Sequence, residues 1–144
     1  MENTVARHSE RREAKLTKMS EAIMETEEVA VTGLEIEPSE VVARAEAGDV
    51  ELIDVRQPYE WNAGRIAGAR HVEVNDLTRA AATMPKDRTI VFYCRSGSRS
   101  GMAAEAYGQA GFDARNMAGG LKAWVEQGLP LEPDDGAVAP PQPV

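Results

Sequence analysis

The chain has 144 residues, 42% apolar and 28% charged, with a net charge of −8. That length allows one packed domain of roughly 100 residues, and no apolar run reaches the length needed to span a bilayer, so no membrane contact is expected. Most of the surplus negative charge falls in residues 1–32 and 132–144, and no basic stripe runs through the remainder, so nucleic-acid binding is not expected either.

The first 32 residues are polar and charge-rich, and residues 1–18 lack the apolar core of an export signal. Leu16, Met19 and Ile23 fall at helical spacing, which makes residues 10–28 a candidate amphipathic helix, read as a solvated arm. Residues 34–36 read as a short strand. Pro38, Ser39 and Glu40 open a helix that Gly48 stops. Residues 50–55 form a strand with an apolar centre, and residues 58–62 a helical turn before Gly64. A strand is expected over residues 71–74 and a helix over 76–83, ended near Pro85. A buried strand follows over 89–93, then a helix over about 99–110 with Gly111 as its stop. A strand over 114–117 and a helix over 121–127 complete the series. Such alternation argues an α/β fold with a mainly parallel central sheet flanked by helices. Residues 132–144 hold Pro133, Pro140, Pro141 and Pro143 with three acidic groups, and are expected to be disordered.

Cys94 is the only cysteine. One thiol excludes an internal disulfide and a cysteine-only metal site, and it fits a reducing compartment, so a soluble, cytoplasmic protein is expected. The thiol ends the strand 89–93, and in parallel sheets ligand sites form at the carboxyl ends of strands. A lone cysteine after a strand is ordinarily a small buried hydrophobe. The sequence that follows, Arg95-Ser96-Gly97-Ser98-Arg99-Ser100, is more than a structural turn needs. Two arginines and the N-terminus of the next helix favour a thiolate, and the small residues let backbone N–H groups curl inward. Such a nest holds either a tetrahedral oxyanion or the outer sulfur of a persulfide.

Residues from about 34 to 131 resemble the rhodanese-like domain of sulfurtransferases. Three blocks carry the resemblance in order. The first is Leu52-Ile53-Asp54-Val55-Arg56-Gln57-Pro58-Tyr59-Glu60-Trp61, continuing to Gly64-Arg65-Ile66-Ala67-Gly68-Ala69. The second is the loop from Cys94 to Ser100. The third is Gly119-Gly120-Leu121-Lys122-Ala123-Trp124, followed by Gly128-Leu129-Pro130. The resemblance divides the chain into an arm over 1–32, a rhodanese-like domain over 33–131 and a tail over 132–144.

The resemblance implies that Cys94 is the catalytic nucleophile, attacking a small anionic sulfur donor such as thiosulfate to become a persulfide. Cyanide or a thiol, including one on a protein acceptor, then removes the outer sulfur. Arg95 and Arg99 are expected to bind the donor and lower the thiol pKa, with Ser96, Gly97, Ser98 and Ser100 completing the substrate-binding cradle. No metal or organic cofactor is implied. A pre-formed thiolate needs no base, so His8 and His71 are read as non-catalytic. With no second thiol in the chain, sulfur must leave to an outside acceptor.

Loop length separates this from a second enzymatic reading. Cys94 to Arg99 is Cys-x4-Arg, whereas relatives acting as phosphatases or arsenate reductases carry the wider Cys-x5-Arg. A non-catalytic binding module is the third reading, and such modules often lack the cysteine. Asp54 and Arg56 are expected to form a structural ion pair that supports the loop. Glu60 and Trp61 are read as packing and capping groups, and Trp124 as an apolar anchor beside the pocket. Arg65 stands where many relatives carry histidine, and His71-Val72-Glu73 where they often carry proline. Both departures lie outside the loop.

Overall fold

The computed structural model describes residues 34–141, so the helical arm expected within residues 1–32 lies outside the described residues. The packed unit begins at Glu35. Its five strands are β1 (Glu35–Ile36), β2 (Val50–Asp54), β3 (Arg70–His71), β4 (Thr89–Tyr93) and β5 (Ala114–Met117). They run in the order β1-β5-β4-β2-β3 and pair in parallel throughout. Parallel neighbours require crossovers, which the intervening helices supply: α1 (Pro38–Glu46), α2 (Pro58–Ala63), α3 (Leu77–Ala80), α4 (Ser98–Gln109) and α5 (Gly120–Glu126). This is the α/β architecture that the alternation of signals predicts.

The middle strand explains the position of the thiol. All five residues of β4 are buried, and they are the β-branched and aromatic types that suit a strand covered on both faces. Successive side chains alternate between the faces. Val91 and Tyr93 join a cluster with Val41 of α1 and Leu121 and Trp124 of α5. Ile90, Phe92 and Cys94 join the other, with Ala103, Ala104 and Tyr107 of α4. Cys94 thus continues the β4 alternation toward the helix that its own loop opens.

Two expected elements differ. The strand expected over 71–74 is only Arg70–His71, because β3 is an edge strand paired with β2 alone at Ile53 and Asp54. Beyond it Val72 and Val74 donate N–H bonds back to the carbonyls of Asp54 and Val55, and the chain then turns into a 3-10 segment, Val74–Asp76. The helix expected over 76–83 is broken likewise, with α3 giving way to a 3-10 turn over Ala81–Thr83.

The larger difference is at the C-terminal end. Residues 132–141, expected to be disordered, lie against the domain. Arg65 and Glu132 exchange backbone bonds of 3.0 and 2.7 Å, and the Ala137 N–H donates to the Ala63 carbonyl at 2.8 Å. Gly64 and Gly136 meet so closely that a Cβ on Gly136 would stand 3.0 Å from the Gly64 Cα. Ala139 is buried. Composition gives the cost of ordering a segment but not the backbone partners that compensate it, and the prolines reduce that cost by restricting the unfolded chain.

Candidate active site

The sequence places Cys94 one residue past β4, and the fold leaves its sulfur buried under the loop that leads into α4. Gly97, the residue before α4, takes φ +108°, a conformation in which side chains are strained. That turn directs the Gly97 N–H to the Cys94 Sγ at 3.1 Å. One helical turn later, Ser100 donates its N–H at 3.5 Å and places its Oγ at 3.3 Å. Burial pushes the Cys94 thiol up. The Ser100 hydroxyl and the amides of Ser100, Gly97 and Ser96 outweigh burial and hold it below the usual thiol value. The inward-pointing amides were expected; the Ser100 hydroxyl joins them, and neither arginine is among the leading causes.

Ser100 and Gly97 are held in turn by Asn116 of β5. The Ser100 hydroxyl, whose one proton is shared between Sγ and Asn116, lies 2.6 Å from Asn116 Oδ1, while Asn116 Nδ2 donates to the Gly97 carbonyl at 3.1 Å and to Glu35 at 2.6 Å. Asn116 is opposite Phe92 in the register, two residues before the thiol, so β5 delivers it to the loop. Sequence reasoning missed it, since nothing in a short strand marks one polar residue as a loop anchor. Ser100 gives a direct test. Ser100→Ala removes the hydroxyl donor, so the Cys94 pKa should rise and thiolate absorbance should develop at higher pH. An unchanged titration would remove Ser100 from the thiolate's support.

The two arginines have separate partners. Arg99 is not a free anion receptor. Its two terminal nitrogens meet both carboxylate oxygens of Glu60 at 2.8 and 2.9 Å, and its guanidinium is held protonated chiefly by Glu60 and secondarily by the Cys94 charge. Burial would raise the Glu60 pKa, but Arg99 and the Gln57 N–H bring it below the usual carboxylate range. Glu60 therefore caps α2 through Gln57, as expected, and also pairs with the loop, which was not. Arg95 donates from Nε to the Ala139 carbonyl at 3.1 Å, so it is held by the C-terminal segment. Ser96 and Ser98 are exposed, and Ser98 opens α4. Beside the loop lies a cavity of about 350 Å³, lined by Ser96 and by Tyr59, Glu60, Arg95, Arg99 and Pro141 among others.

Asp54 and Arg56 form the base of this region without reaching the sulfur. Their side chains are fully buried and joined through three contacts of 2.6 to 3.1 Å, and Arg56 also donates to the Gly64 carbonyl at 2.7 Å. Asp54 stands opposite Tyr93, and the Val55 N–H bonds the Tyr93 carbonyl at 3.1 Å, so the pair supports the residue before Cys94. His71 stacks on Trp61 at 4.7 Å and reaches the Arg56 carbonyl, while Arg65 lies over the other component of that stack, 5.0 Å from the Trp61 ring. Trp124 anchors the end of α5 by donating to the Pro130 carbonyl at 2.8 Å. From α5, the amides of Leu121 and Lys122 bond the carbonyls of Cys94 and Arg95 at 2.8 and 3.0 Å. The third sequence block thus fixes the loop's backbone from outside. His8 lies outside the described residues.

A parallel five-stranded sheet with a hydrogen-bonded thiol at the carboxyl end of its central strand defines a cysteine-centred α/β site. Residues 37–127 match the family model for the rhodanese-like domain, and the chain belongs to that family. It is 38% identical over 93 residues to a sulfurtransferase of Allochromatium vinosum, covering 64% of this chain and 87% of that one. It is also 38% identical over 109 residues to the Mycobacterium tuberculosis "Probable adenylyltransferase/sulfurtransferase MoeZ", covering 73% of this chain. The match spans only 27% of the length of that relative. Among solved structures, a rhodanese-related protein of Thermoplasma volcanium superposes with a TM-score of 0.63 at 26% identity, over 67% of this chain and 95% of that one.

Proposed function

We propose that this protein transfers sulfane sulfur through a persulfide on Cys94. The observation that carries the reading is the set of donors aimed at Sγ, from Gly97 and Ser100, in a six-residue loop that supplies no acidic neighbour to the sulfur. The same donors that favour a thiolate also suit the charged outer sulfur of a persulfide.

In the first step the Cys94 thiolate attacks the outer sulfur of thiosulfate. A sulfur–sulfur bond forms to Cys94, the bond to the sulfonate sulfur breaks, and sulfite departs with that electron pair. In the second step cyanide or an external thiolate attacks the outer sulfur. Thiocyanate or a new persulfide forms, and the Cys94 thiolate is the leaving group, stabilised by the same amides. Neither step needs a protein base. Asp54 and Arg56 serve by holding the strand end beneath the loop, and Arg95 is the cation for the donor's negative charge. The sulfurtransferase names of similar proteins support this reading, and the lone cysteine supports a reducing, cytoplasmic setting.

Intact mass spectrometry tests it directly. Thiosulfate treatment should add about 32 Da, one sulfur atom on the nucleophile, and cyanide should remove it. Hydrolysis of phosphate esters without that adduct would overturn the proposal in favour of oxyanion chemistry.

A further inference from the structure

Residues 132–141 lie beyond the segment matched by the family model, yet they reach the candidate active site. Three contacts bring them there. The Ala139 carbonyl accepts the Arg95 Nε bond at 3.1 Å, the Pro140 carbonyl accepts from the Tyr59 hydroxyl at 3.2 Å, and Pro141 forms part of the cavity wall. The path is fixed upstream by the Arg65–Glu132 backbone pair, the Ala137–Ala63 bond and the close approach of Gly136 to Gly64. Buried Ala139 holds the segment down at the point where its carbonyl meets Arg95.

Two features of the cavity give this segment a chemical consequence. Arg99 is neutralised by Glu60, so Arg95 is the lining cation that has no carboxylate on it among the described residues. Arg95 is also the residue that the segment holds, through a carbonyl that fixes the Nε edge of its guanidinium. We infer that residues 132–141 are a working wall of the donor site: they aim Arg95 and narrow the cavity, so that it selects small anionic sulfur donors over bulkier ones. The inference rests on the proposed sulfur transfer for the identity of the donor, but not for the existence of the wall.

Gly136 offers a lever outside the cavity. Any Cβ there would stand 2.9 Å from the Pro133 carbonyl oxygen and 3.0 Å from the Gly64 Cα, both backbone atoms, so the segment must shift. The probe is thiosulfate, titrated calorimetrically into the full chain carrying Cys94→Ser, where binding is read without turnover. Adding Gly136→Val should weaken binding about tenfold, the size of one hydrogen bond to a charged group. Tyr59→Phe, which removes a single hydroxyl, is the milder second variant and should weaken binding in the same direction. In the Cys94 enzyme, each change should raise the KM for thiosulfate with little effect on kcat. Each should also reduce the preference for thiosulfate over benzenethiosulfonate. Unchanged thiosulfate affinity in both variants, with their folds intact by circular dichroism, would overturn the inference. Loss of affinity in these variants, with no persulfide formed on thiosulfate treatment of the parent chain that keeps Cys94, would support the wall and overturn the sulfur-transfer reading alone.

Discussion

Cys94→Ser is expected to abolish persulfide formation and sulfur transfer while leaving the domain folded. Oxygen for sulfur is a small change of volume at a fully buried position, and the hydroxyl inherits the donors from Gly97 and Ser100. The chemistry does not survive the exchange. A serine hydroxyl is not ionised by dipoles that lower the pKa of a thiol, and it forms no sulfur–sulfur bond. Activity should fall to the uncatalysed background, and the mass gain after thiosulfate should vanish. The urea midpoint should stay close to that of the unmodified chain. Sulfur transfer retained by this variant would sink the mechanism, because the chain has no other thiol.

Arg56→Met should produce the largest loss of stability. Arg56 and Asp54 are both fully buried, and the guanidinium is bound on one edge by the carboxylate and on another by the Gly64 carbonyl. Burial by itself would lower the Arg56 pKa, and the paired carboxylate overcomes it, so the ion pair is intact in the folded state. Removing one member leaves the Asp54 charge without its partner in the interior, which costs about 3–5 kcal/mol. A urea melt should report that loss as a lower midpoint with little change of slope. The double variant Asp54→Leu/Arg56→Met should recover a large part of it, because two apolar groups of similar volume leave no uncompensated charge. A single variant as stable as the parent chain would show that the pair does not secure the strand end. Because Val55 bonds the Tyr93 carbonyl next to Cys94, the single variant should also slow persulfide formation.

Acid should act on the Glu60–Arg99 pair. The Glu60 pKa is lowered in the folded state, so its contribution to stability is present above the ordinary carboxylate range. That contribution is lost as pH falls through the lowered folded value. Glu60→Gln should abolish this part of the acid dependence, measured as the difference in urea midpoints across the acidic range. An identical pH profile in both proteins would mean that the pair adds no net stability.

The sequence by itself determined the α/β class, the buried strand over residues 89–93 and the place of Cys94 at its end, before a helix. Each of those follows from local signals: a run of β-branched and aromatic residues, a glycine-containing loop with its small neighbours, and helix boundaries at Pro38, Pro58 and Gly111. It also predicted Asp54 and Arg56 as an ion pair, since two opposite charges two residues apart at a buried strand end have few other solutions. What those signals cannot encode is which distant groups arrive at the loop. Glu60 reaches Arg99 across 39 residues, Asn116 reaches Gly97 across 19, and Ala139 reaches Arg95 across 44. Those contacts paired Arg99 with a carboxylate, anchored the loop that carries the thiol's donors, and laid a tail expected to be disordered against the cavity beside it. Tertiary structure decided them because an ion pair or backbone bond depends on the register of the sheet and the docking of one segment on another, and neither is written in composition or periodicity.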